Sequence, residues 1–474
     1  MELPSKKTKI VCTIGPASQS VEVLEAMIRS GMDVARVNFS HGEFSAHKEV
    51  IENIRTAARN VGKRTAILAD LPGPKIRIGE LAAEKVNLMQ GQPFLLNTDE
   101  RIIGDEHAAS VSLQCLGDAV KPGDKIFLND GLIQLVVKRV EGCRIHCTVI
   151  AGGELRSHKG VNIPGIELGI SAVTQYDREC VKFALEQGVD ALGVSFVQGK
   201  RDISDLRDFT RSLGYNPFII AKIERSRALE DIDSILAAAD GIMVARGDLG
   251  VEIPIEQIAM TQKRIILTAN VHGKPVITAT QMLESMVAVP RPTRAEATDV
   301  ANAILDGTDC VMLSEESAIG DYPIPAVQML ARIAEAVEGH IRVHAVVETI
   351  EASVASRKQR VEELISLSVY HTVRRLLPVA VVTPTETGST ARRVARFRLP
   401  VWVVAISPNE STCQALQFSF GVYPLLEPNP PDSWSTYVRT KAVRLPIPDG
   451  PVVLTEGTVR HSGGTDRMEI IELV

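Results

Sequence analysis

The sequence predicts an α/β chain: a (β/α)8 TIM barrel, interrupted after its third strand by an all-β insertion and followed by a separate C-terminal α/β domain. Three observations predict this. Short, continuously apolar runs, several announced by an aspartate, recur eight times before residue 315. Segments with helical spacing lie between most of them. The alternation breaks once, between Pro72 and Gly169, where β-type runs replace the helices. Such runs are too short for helices and too apolar for a one-sided sheet, so they are strands buried on both faces of a parallel sheet. Eight strands alternating with helices is the count of a closed barrel. An open doubly wound sheet is the alternative that the count leaves open.

Taken in order, the strands are 9–14 (KIVCTI), 33–39 (DVARVNF), 65–71 (TAILADL), 190–197 (DALGVSFV), 218–224 (FIIAKIE), 241–246 (GIMVAR), 275–280 (PVITAT) and 309–314 (DCVMLS). Helical spacing covers 21–29, 44–58, 176–187, 200–212, 228–238, 255–271 and 295–305. Two of these carry start signals: Pro254 precedes one, and Thr293 with Glu296 three residues on forms a capping pattern before another. In the insertion, 94–97, 125–128, 133–140 and 144–150 are β-type, separated by Gly and Pro turns. It sits on the side where barrel loops carry chemistry, so it can act as a lid that excludes water. After residue 341 the pattern restarts with a helix at 362–377 and strands at 379–383, 401–406 and 451–455. The domains are therefore 1–71 with 170–341 (barrel), 72–169 (lid) and 342–474 (C-terminal α/β, regulatory).

Composition bounds the function. The 474 residues are 45% hydrophobic and 23% charged, as in an ordinary globular protein. The 52 basic and 58 acidic side chains (net −6), with 4% aromatics, argue against a nucleic-acid binder. No apolar run reaches the ~18–20 residues of a membrane span, and the N-terminus lacks a signal-peptide core. The seven cysteines (Cys12, Cys115, Cys143, Cys147, Cys180, Cys310, Cys413) are scattered without a C-x-x-C, which fits a reducing cytoplasm better than a disulfide framework or a zinc site. Gly273-Lys274 is followed by Pro275, so there is no Walker-type loop, and H-E-x-x-H is absent.

Catalytic groups of a barrel come from the C-terminal ends of its strands. Those ends carry Arg36, Asn38, Ser40 and His41 (second), Asp70 (third), Lys222 and Glu224 (fifth), Arg246, Gly247 and Asp248 (sixth), Thr278, Thr280 and Gln281 (seventh), and Ser314, Glu315 and Glu316 (eighth). Lys222 and Glu224, two apart on one strand, share a face. Glu224 and Asp248, from adjacent strands, offer two hard oxygen ligands, which suits Mg²⁺ completing its shell with water and substrate oxygens. Arg36 and Lys222 add positive charge, so the site fits an anionic substrate, a phosphorylated acid. Singly, each has a structural alternative: a barrel salt bridge for Lys222 and Glu224, a turn aspartate for Asp248, a loop residue for His41. The case rests on six strand ends agreeing.

At these residues the chain resembles pyruvate kinase of the bacterial type. The matching stretches are TKIVCTIGPAS (8–18), MDVARVNFSHG (32–42), GPKIR (73–77), KGVNIPG (159–165), AKIE (221–224), MVARGDLGVEIP (243–254), ATQMLESM (279–286) and RPTRAEATDVANAILDGTDCVML (291–313). They span all eight units and the insertion; the C-terminal domain matches more loosely. The resemblance implies transfer of the phosphoryl group of phosphoenolpyruvate to ADP, giving pyruvate and ATP. It implies Mg²⁺ (or Mn²⁺) on Glu224 and Asp248, and Lys222 stabilising the phosphoryl group in flight. Arg36 contacts the phosphate, and the amides around Gly247 with Thr280 hold the substrate carboxylate. Thr280 also belongs to the proton route to pyruvate, with Ser314 and Glu316 behind it. Nucleotide contacts fall on Pro16, Arg36, Asn38, His41, Arg77, Asp130 and Lys159, and a second Mg²⁺ comes with ADP. The monovalent-cation ligands map onto Asn38, Ser40, Asp70 and the Leu71 carbonyl. A cytoplasmic homotetramer is the family's form.

Three departures stand out. Where potassium-dependent relatives read L-D-T-K-G-P-E-I-R, this chain reads ADLPGPKIR (69–77), so Lys75 replaces a glutamate and Leu71 a threonine. An ammonium there can supply the charge a cation would bring, which predicts activity without K⁺. Glu315 stands where the family commonly has Gly. In the C-terminal domain, Thr385-Glu-Thr387-Gly388-Ser389-Thr390 resembles the family's phosphate-binding effector loop but lacks its Lys and Arg. That favours a sugar monophosphate or AMP over a bisphosphate, with Ser462–Thr465 adding to the pocket; a plain Thr/Gly turn is the alternative. Two rivals remain: a different Mg²⁺-enolate barrel enzyme, which needs no Arg77, Asp130 or Lys159, and a catalytically dead sugar-phosphate sensor, which needs no Lys222, Glu224 or Asp248.

Overall fold

The structure is a computed structural model that describes residues 3–99, 101–114, 116–166, 169–355, 361–441, 445–457 and 464–473. Its first and largest element is a closed barrel of eight parallel strands: Lys9–Thr13, Val34–Asn38, Ala66–Asp70, Ala191–Val194, Phe218–Ile223, Gly241–Ala245, Val276–Ala279 and Cys310–Leu313. All eight predicted strands are present, each within three residues at either end. Closure between the first and eighth strands, Lys9 opposite Cys310, removes the open-sheet alternative.

Alternation along each strand explains the barrel's contents. Val11, Val34, Leu68, Ile220, Met243, Ile277 and Met312 fill the interior base, while Ile10, Cys12, Ile67 and Ile219 pack outward on the helices. Because side chains repeat with period two, the next inward positions toward the C-terminal ends are Thr13, Arg36, Asp70 and Lys222. A dry base and a polar mouth thus follow from one periodicity.

The helices differ from expectation in detail. The predicted 228–238 helix is two, Ser226–Glu230 and Ile232–Ala238, divided at Asp231. The predicted 255–271 helix begins as a 3₁₀ turn, Ile255–Gln257, and becomes α-helical at Ile258–Val271. Directly after the sixth strand lies a short helix, Arg246–Glu252; its two glycines hid it from a propensity reading. Thr293 caps Arg294–Leu305 reciprocally with Glu296, as the pattern predicts.

The insertion is all-β apart from one helical turn, Leu116–Ala119, and is built on a six-stranded sheet around its own core of Ile78, Phe94, Leu96, Ile126, Leu135 and Val149. The four predicted runs appear as Pro93–Asn97, Lys125–Leu128, Ile133–Glu141 and Arg144–Ala151. The C-terminal domain carries a five-stranded sheet flanked by helices. Its predicted strands are Ala380–Pro384, Trp402–Ser407 and Gly450–Glu456. Val422–Leu426 and an antiparallel edge, Arg467–Leu473, complete it. No helix among the described residues is long and apolar enough to cross a membrane. Cys115 lies outside the described residues; of the others only Cys143 is exposed, and all six are free.

Barrel and C-terminal domain join at the closed end of the barrel. Phe218 stacks on Phe418 at 5.5 Å, and Lys9 donates to the Val422 carbonyl (2.9 Å) beneath the Trp402 ring. Lys9 is 4% exposed. Burial, only partly offset by Asp33, pushes its pKa down to about 8 from 10.5. The folded state therefore disfavours the charged form, and the unfolded chain binds more protons between those values. Below pH 8 the penalty is complete, on the order of 3 kcal/mol, and it fades as pH rises toward 10.5. Lys9→Met is accordingly expected to melt higher than the parent at pH 7, with the advantage shrinking above pH 8 in thermal scans. An advantage independent of pH would contradict this.

Candidate active site

Parallel register sets the inward residues side by side. Thr13 lies opposite Arg36, Asn38 opposite Asp70, and Asp70 opposite Gly193. A Cβ on Gly193 would stand 3.2 Å from Asp70 Oδ1, so glycine leaves room for that carboxylate.

At the centre is the Lys222 ammonium. Its Nζ is 2.9 Å from Glu224 Oε1 and 3.1 Å from Asp70 Oδ1, and donates to Ser195 Oγ at 2.7 Å. Burial alone would lower its pKa, but Asp70 and then Glu224 overcome it and hold the group above its ordinary value. Lys222 is thus a permanent cation with only 12% of its side chain exposed. Asp70 binds Arg36 through its other oxygen (2.6 Å), and Arg36 also donates to Thr13 Oγ1 (2.8 Å). Burial works against the Asp70 charge, yet Lys222 and Arg36 keep its pKa below the usual range. The Nη2 of Arg36 also lies 2.6 Å from Asp70 Oδ2, so all three guanidinium nitrogens are anchored.

The two proposed metal ligands fit a divalent ion. Glu224 accepts from the Phe196 amide at 2.6 Å, and burial, reinforced by Asp248, raises its pKa despite Lys222. Asp248 sits in the first turn of Arg246–Glu252 rather than in the loop expected of a turn aspartate. Burial raises its pKa too, against Lys222 and Lys75. A desolvated carboxylate beside a second one is what a hard cation satisfies. Among the described residues no third His, Cys, Asp or Glu joins them in a metal-holding group.

Around this centre the other predicted residues distribute unevenly. Thr280 lies just beyond the seventh strand with φ +69°, followed by Gln281 at +54°. Its hydroxyl donates to the Ala279 carbonyl (2.6 Å) and accepts from the Gly247 amide (2.9 Å), joining the two predicted carboxylate-holding positions. Ser314 precedes the helical turn Glu315–Ala318. Glu316 is fully buried and accepts the amides of Leu283 (2.9 Å) and Ser314 (2.7 Å), so it pins two strand-end loops together. Glu315 is exposed and is not among the residues with positive φ, so it replaces glycine without strain.

The lid closes one side. A cleft of about 280 Å³ between lid and barrel is lined by His41, Lys75, Arg77, Asp130, Lys159 and Asp248, with Phe196 and Arg225 at its floor. Crowding and then Lys75, Arg77 and Arg36 push the His41 pKa down, a sign of the cleft's positive field. Pro16 is exposed on a neighbouring loop, and Arg36 and Asn38 lie outside the cleft's lining. The lid's entry bend is Gly73, at φ +66°, where a Cβ would meet Ser195 and Phe196 at 2.9 Å. Beyond it Lys75 donates to Ser40 Oγ at 2.8 Å. Crowding, Lys222 and Arg77 lower its pKa. Its ammonium thus stands on one of the four positions assigned to a monovalent cation. Of the others, Asn38 Oδ1 accepts the Ser40 amide (3.2 Å), Asp70 is taken by Lys222 and Arg36, and the Leu71 carbonyl accepts Ser195 Oγ (2.7 Å).

The C-terminal loop is remote from this mouth. Thr385 Oγ1 accepts the Gly388 amide (2.9 Å), the Thr387 carbonyl accepts from Arg392 (2.8 Å), Ser389 begins the helix Ser389–Ala395, and Thr390 meets Thr465 hydroxyl to hydroxyl. Of the tail expected beside it, Ser462 and Gly463 lie outside the described residues.

Sequence reasoning missed Ser195, Thr13 and Phe196. Ser195 orients Lys222 and holds the Leu71 carbonyl; its position near the end of the fourth strand was the available signal. Thr13 looked like an ordinary β-former. Phe196 acts through its amide, at φ +56°, which its side chain does not announce.

Comparison with known proteins gives one consistent result. The family described as "Pyruvate kinase, barrel domain" matches residues 5–327, and "Pyruvate kinase, alpha/beta domain" matches residues 363–471. A pyruvate kinase of Thermococcus litoralis is 44% identical, covering 100% of both chains. One of Geobacillus stearothermophilus is 42% identical over 98% of this chain and 80% of its own. A solved pyruvate kinase of Cryptosporidium parvum superposes with a TM-score of 0.91 at 35% identity, covering 99% of this chain and 97% of the other.

Ser195→Ala removes one of three groups on a buried ammonium. It is expected to lower turnover about tenfold, the size of one hydrogen bond to a charge, with little change in melting temperature. Steady-state kinetics indistinguishable from the parent would show that the hydroxyl does not set the ammonium.

Proposed function

The chain belongs to the pyruvate kinase family, and from that membership we propose that its barrel mouth moves the phosphoryl group from phosphoenolpyruvate to ADP with residues Lys222, Arg36, Glu224, Asp248 and Thr280. It is a phosphotransferase; its substrates are phosphoenolpyruvate and ADP, and its product is pyruvate. One observation carries the assignment of roles: a charged Lys222 held within 3.1 Å of Asp70 and Glu224 at the open end of the barrel.

Lys222 faces the phosphoryl group in transit and stabilises its spreading negative charge; Asp70 and Ser195 fix the ammonium in advance, so no reorganisation is needed at the moment of transfer. Arg36, tied by Asp70 and Thr13, presents its free N–H groups to the phosphate. Glu224 and Asp248 would hold Mg²⁺ or Mn²⁺, which would neutralise charge on the substrate's oxygens. Gly247 and Thr280 hold the carboxylate, and the Thr280 hydroxyl hands on the proton that converts the enol to pyruvate, with Ser314 and Glu316 fixing the loops behind it. ADP, with its own Mg²⁺, enters the lid cleft. Arg77, Lys159 and His41 meet its phosphates, and Pro16, Arg36, Asn38 and Asp130 supply the remaining nucleotide contacts. These cleft residues speak against an enolate enzyme that uses no nucleotide. Lys222, Glu224 and Asp248, all in place, speak against a dead sensor.

The contact of Lys75 with Ser40 supports K⁺ independence. The ammonium supplies a fixed positive charge near the phosphates where relatives recruit a cation. Asn38, Ser40, Asp70 and Leu71 then serve as the scaffold of that charge. The hydroxyl-rich loop Thr385, Thr387, Gly388, Ser389 and Thr390 supports an effector no larger in charge than a sugar monophosphate or AMP. The enzyme is proposed as a homotetramer, and its free cysteines suit the cytoplasm.

Pyruvate formation from phosphoenolpyruvate and ADP should proceed at full rate in K⁺-free buffer with Mg²⁺, and Lys75→Glu should lose about tenfold or more until K⁺ is added. A parent enzyme that is nearly dead without K⁺ would overturn the Lys75 reading. In the same assay AMP or a sugar monophosphate should lower the phosphoenolpyruvate half-saturation, and Thr390→Ala should abolish that response. An unresponsive parent would remove the effector reading.

A further inference from the structure

Two consecutive non-glycine residues, Thr280 (φ +69°) and Gln281 (φ +54°), occupy the left-handed region directly after the seventh strand. A β-branched residue is a true outlier there. Such backbone persists only where the surroundings over-determine it. The hydroxyl of Thr280 is engaged with the Ala279 carbonyl and the Gly247 amide, but those bonds leave the Thr280 carbonyl, on the far side of the strained residue, to another group.

The peptide is held by one guanidinium. Arg246 donates from Nε to the Ala279 carbonyl (3.2 Å), and from Nη2 to the Thr280 carbonyl (2.7 Å) and Met282 Sδ (2.9 Å). From Nη1 it reaches Asp299 on the helix Arg294–Leu305 (2.7 Å), with a longer bond to Gln262 (3.4 Å). Its side chain is 11% exposed. Arg246 is also the residue immediately before Gly247 and Asp248. It therefore links the segment that carries a metal carboxylate to the segment that carries the hydroxyl, and anchors both to a capped helix.

We propose that Arg246 is a positioning residue for the second half of the reaction: it locks the 279–282 turn so that the Thr280 hydroxyl is aimed at the enol carbon. This rests on the reading of Thr280 given above and adds the group that aims it. In the step concerned, the C2=C3 electron pair of the enolate takes the proton of the Thr280 hydroxyl at C3 as that O–H bond breaks, the negative charge on the C2 oxygen closes the carbonyl, and the Thr280 oxygen is reprotonated from water. Phosphoryl transfer occurs at the other end of the substrate, against Lys222, and depends less on this turn. A planar fork is needed, because three acceptors on one strand-end loop and a carboxylate on a helix are met at once; an ammonium cannot span them.

The test separates the two halves in the Mg²⁺-loaded enzyme. Exchange of pyruvate methyl protons with D₂O, followed by proton NMR, reads the enol step alone; ATP formation from phosphoenolpyruvate and ADP reads phosphoryl transfer. In Arg246→Met, exchange should fall about tenfold or more beyond the fall in ATP formation. Arg246→Lys should recover only part of it, and Asp299→Asn, which keeps the guanidinium but loosens its anchor, should show the same uneven loss in smaller measure. Equal losses in both rates, or none in a folded variant, would overturn the proposal. Thr280→Val serves as the reference. If it leaves exchange untouched, the role of Thr280 falls and this inference with it. If it slows exchange while the Arg246 and Asp299 variants lose both rates evenly, the role of Thr280 stands and this inference alone falls.

Discussion

One buried ammonium organises the molecule's chemistry. Lys222 is enclosed by Asp70, Glu224 and Ser195 at the end of the barrel, and its charge survives only because two carboxylates lie within 3.1 Å. Each partner depends on a further group in turn: Asp70 on Arg36, Arg36 on Thr13, Glu224 on the Phe196 amide, and Ser195 on the Leu71 carbonyl. Taking one of the two carboxylates from such a network exposes an uncompensated buried charge, a cost of about 3–5 kcal/mol. The arrangement is therefore expensive in stability, and a hydrophobic core residue would serve the barrel better. The proposed chemistry gives that cost a use: a fixed, desolvated cation can meet a phosphoryl group whose charge is spreading without reorganising.

Charge in the mouth is also balanced regionally. Toward the barrel axis, Glu224 and Asp248 leave negative charge that a divalent ion can satisfy. Toward the lid, Lys75, Arg77 and Lys159 turn the field positive where nucleotide phosphates would lie. Lys75 belongs to both regions, since it touches Ser40 below and lines the cleft above. Lys75 thus places a positive charge where the cation positions and the cleft meet.

Much of this was legible in the sequence, for a definite reason. Period-two alternation forces Arg36, Asp70 and Lys222 onto the inner face once Val34, Leu68 and Ile220 are recognised as core, so the site's inventory follows from the strands alone. The resemblance to pyruvate kinase then supplied roles that spacing cannot. What was not legible lies in the backbone. The left-handed turns at Phe196 and Thr280 present an amide and a peptide carbonyl, and no side-chain pattern encodes them. Asp248 looked like a turn residue because Arg246–Glu252 contains two glycines, yet it opens a helix whose first turn suits an acid. The antiparallel edge Arg467–Leu473 escaped notice because Arg467, Glu469 and Glu472 interrupt its apolar residues, leaving too short an apolar run to count as a strand.

In the proposed mechanism the Lys222 charge acts on the transferring group and not on binding or folding. Lys222→Met, compared with the parent by calorimetric phosphoenolpyruvate binding in Mg²⁺ and by pyruvate formation, tests it most directly. The variant is expected to fold, to bind phosphoenolpyruvate within about tenfold of the parent and to turn over at least about a thousandfold more slowly. A folded variant that still turns over at near-parental rate would contradict it.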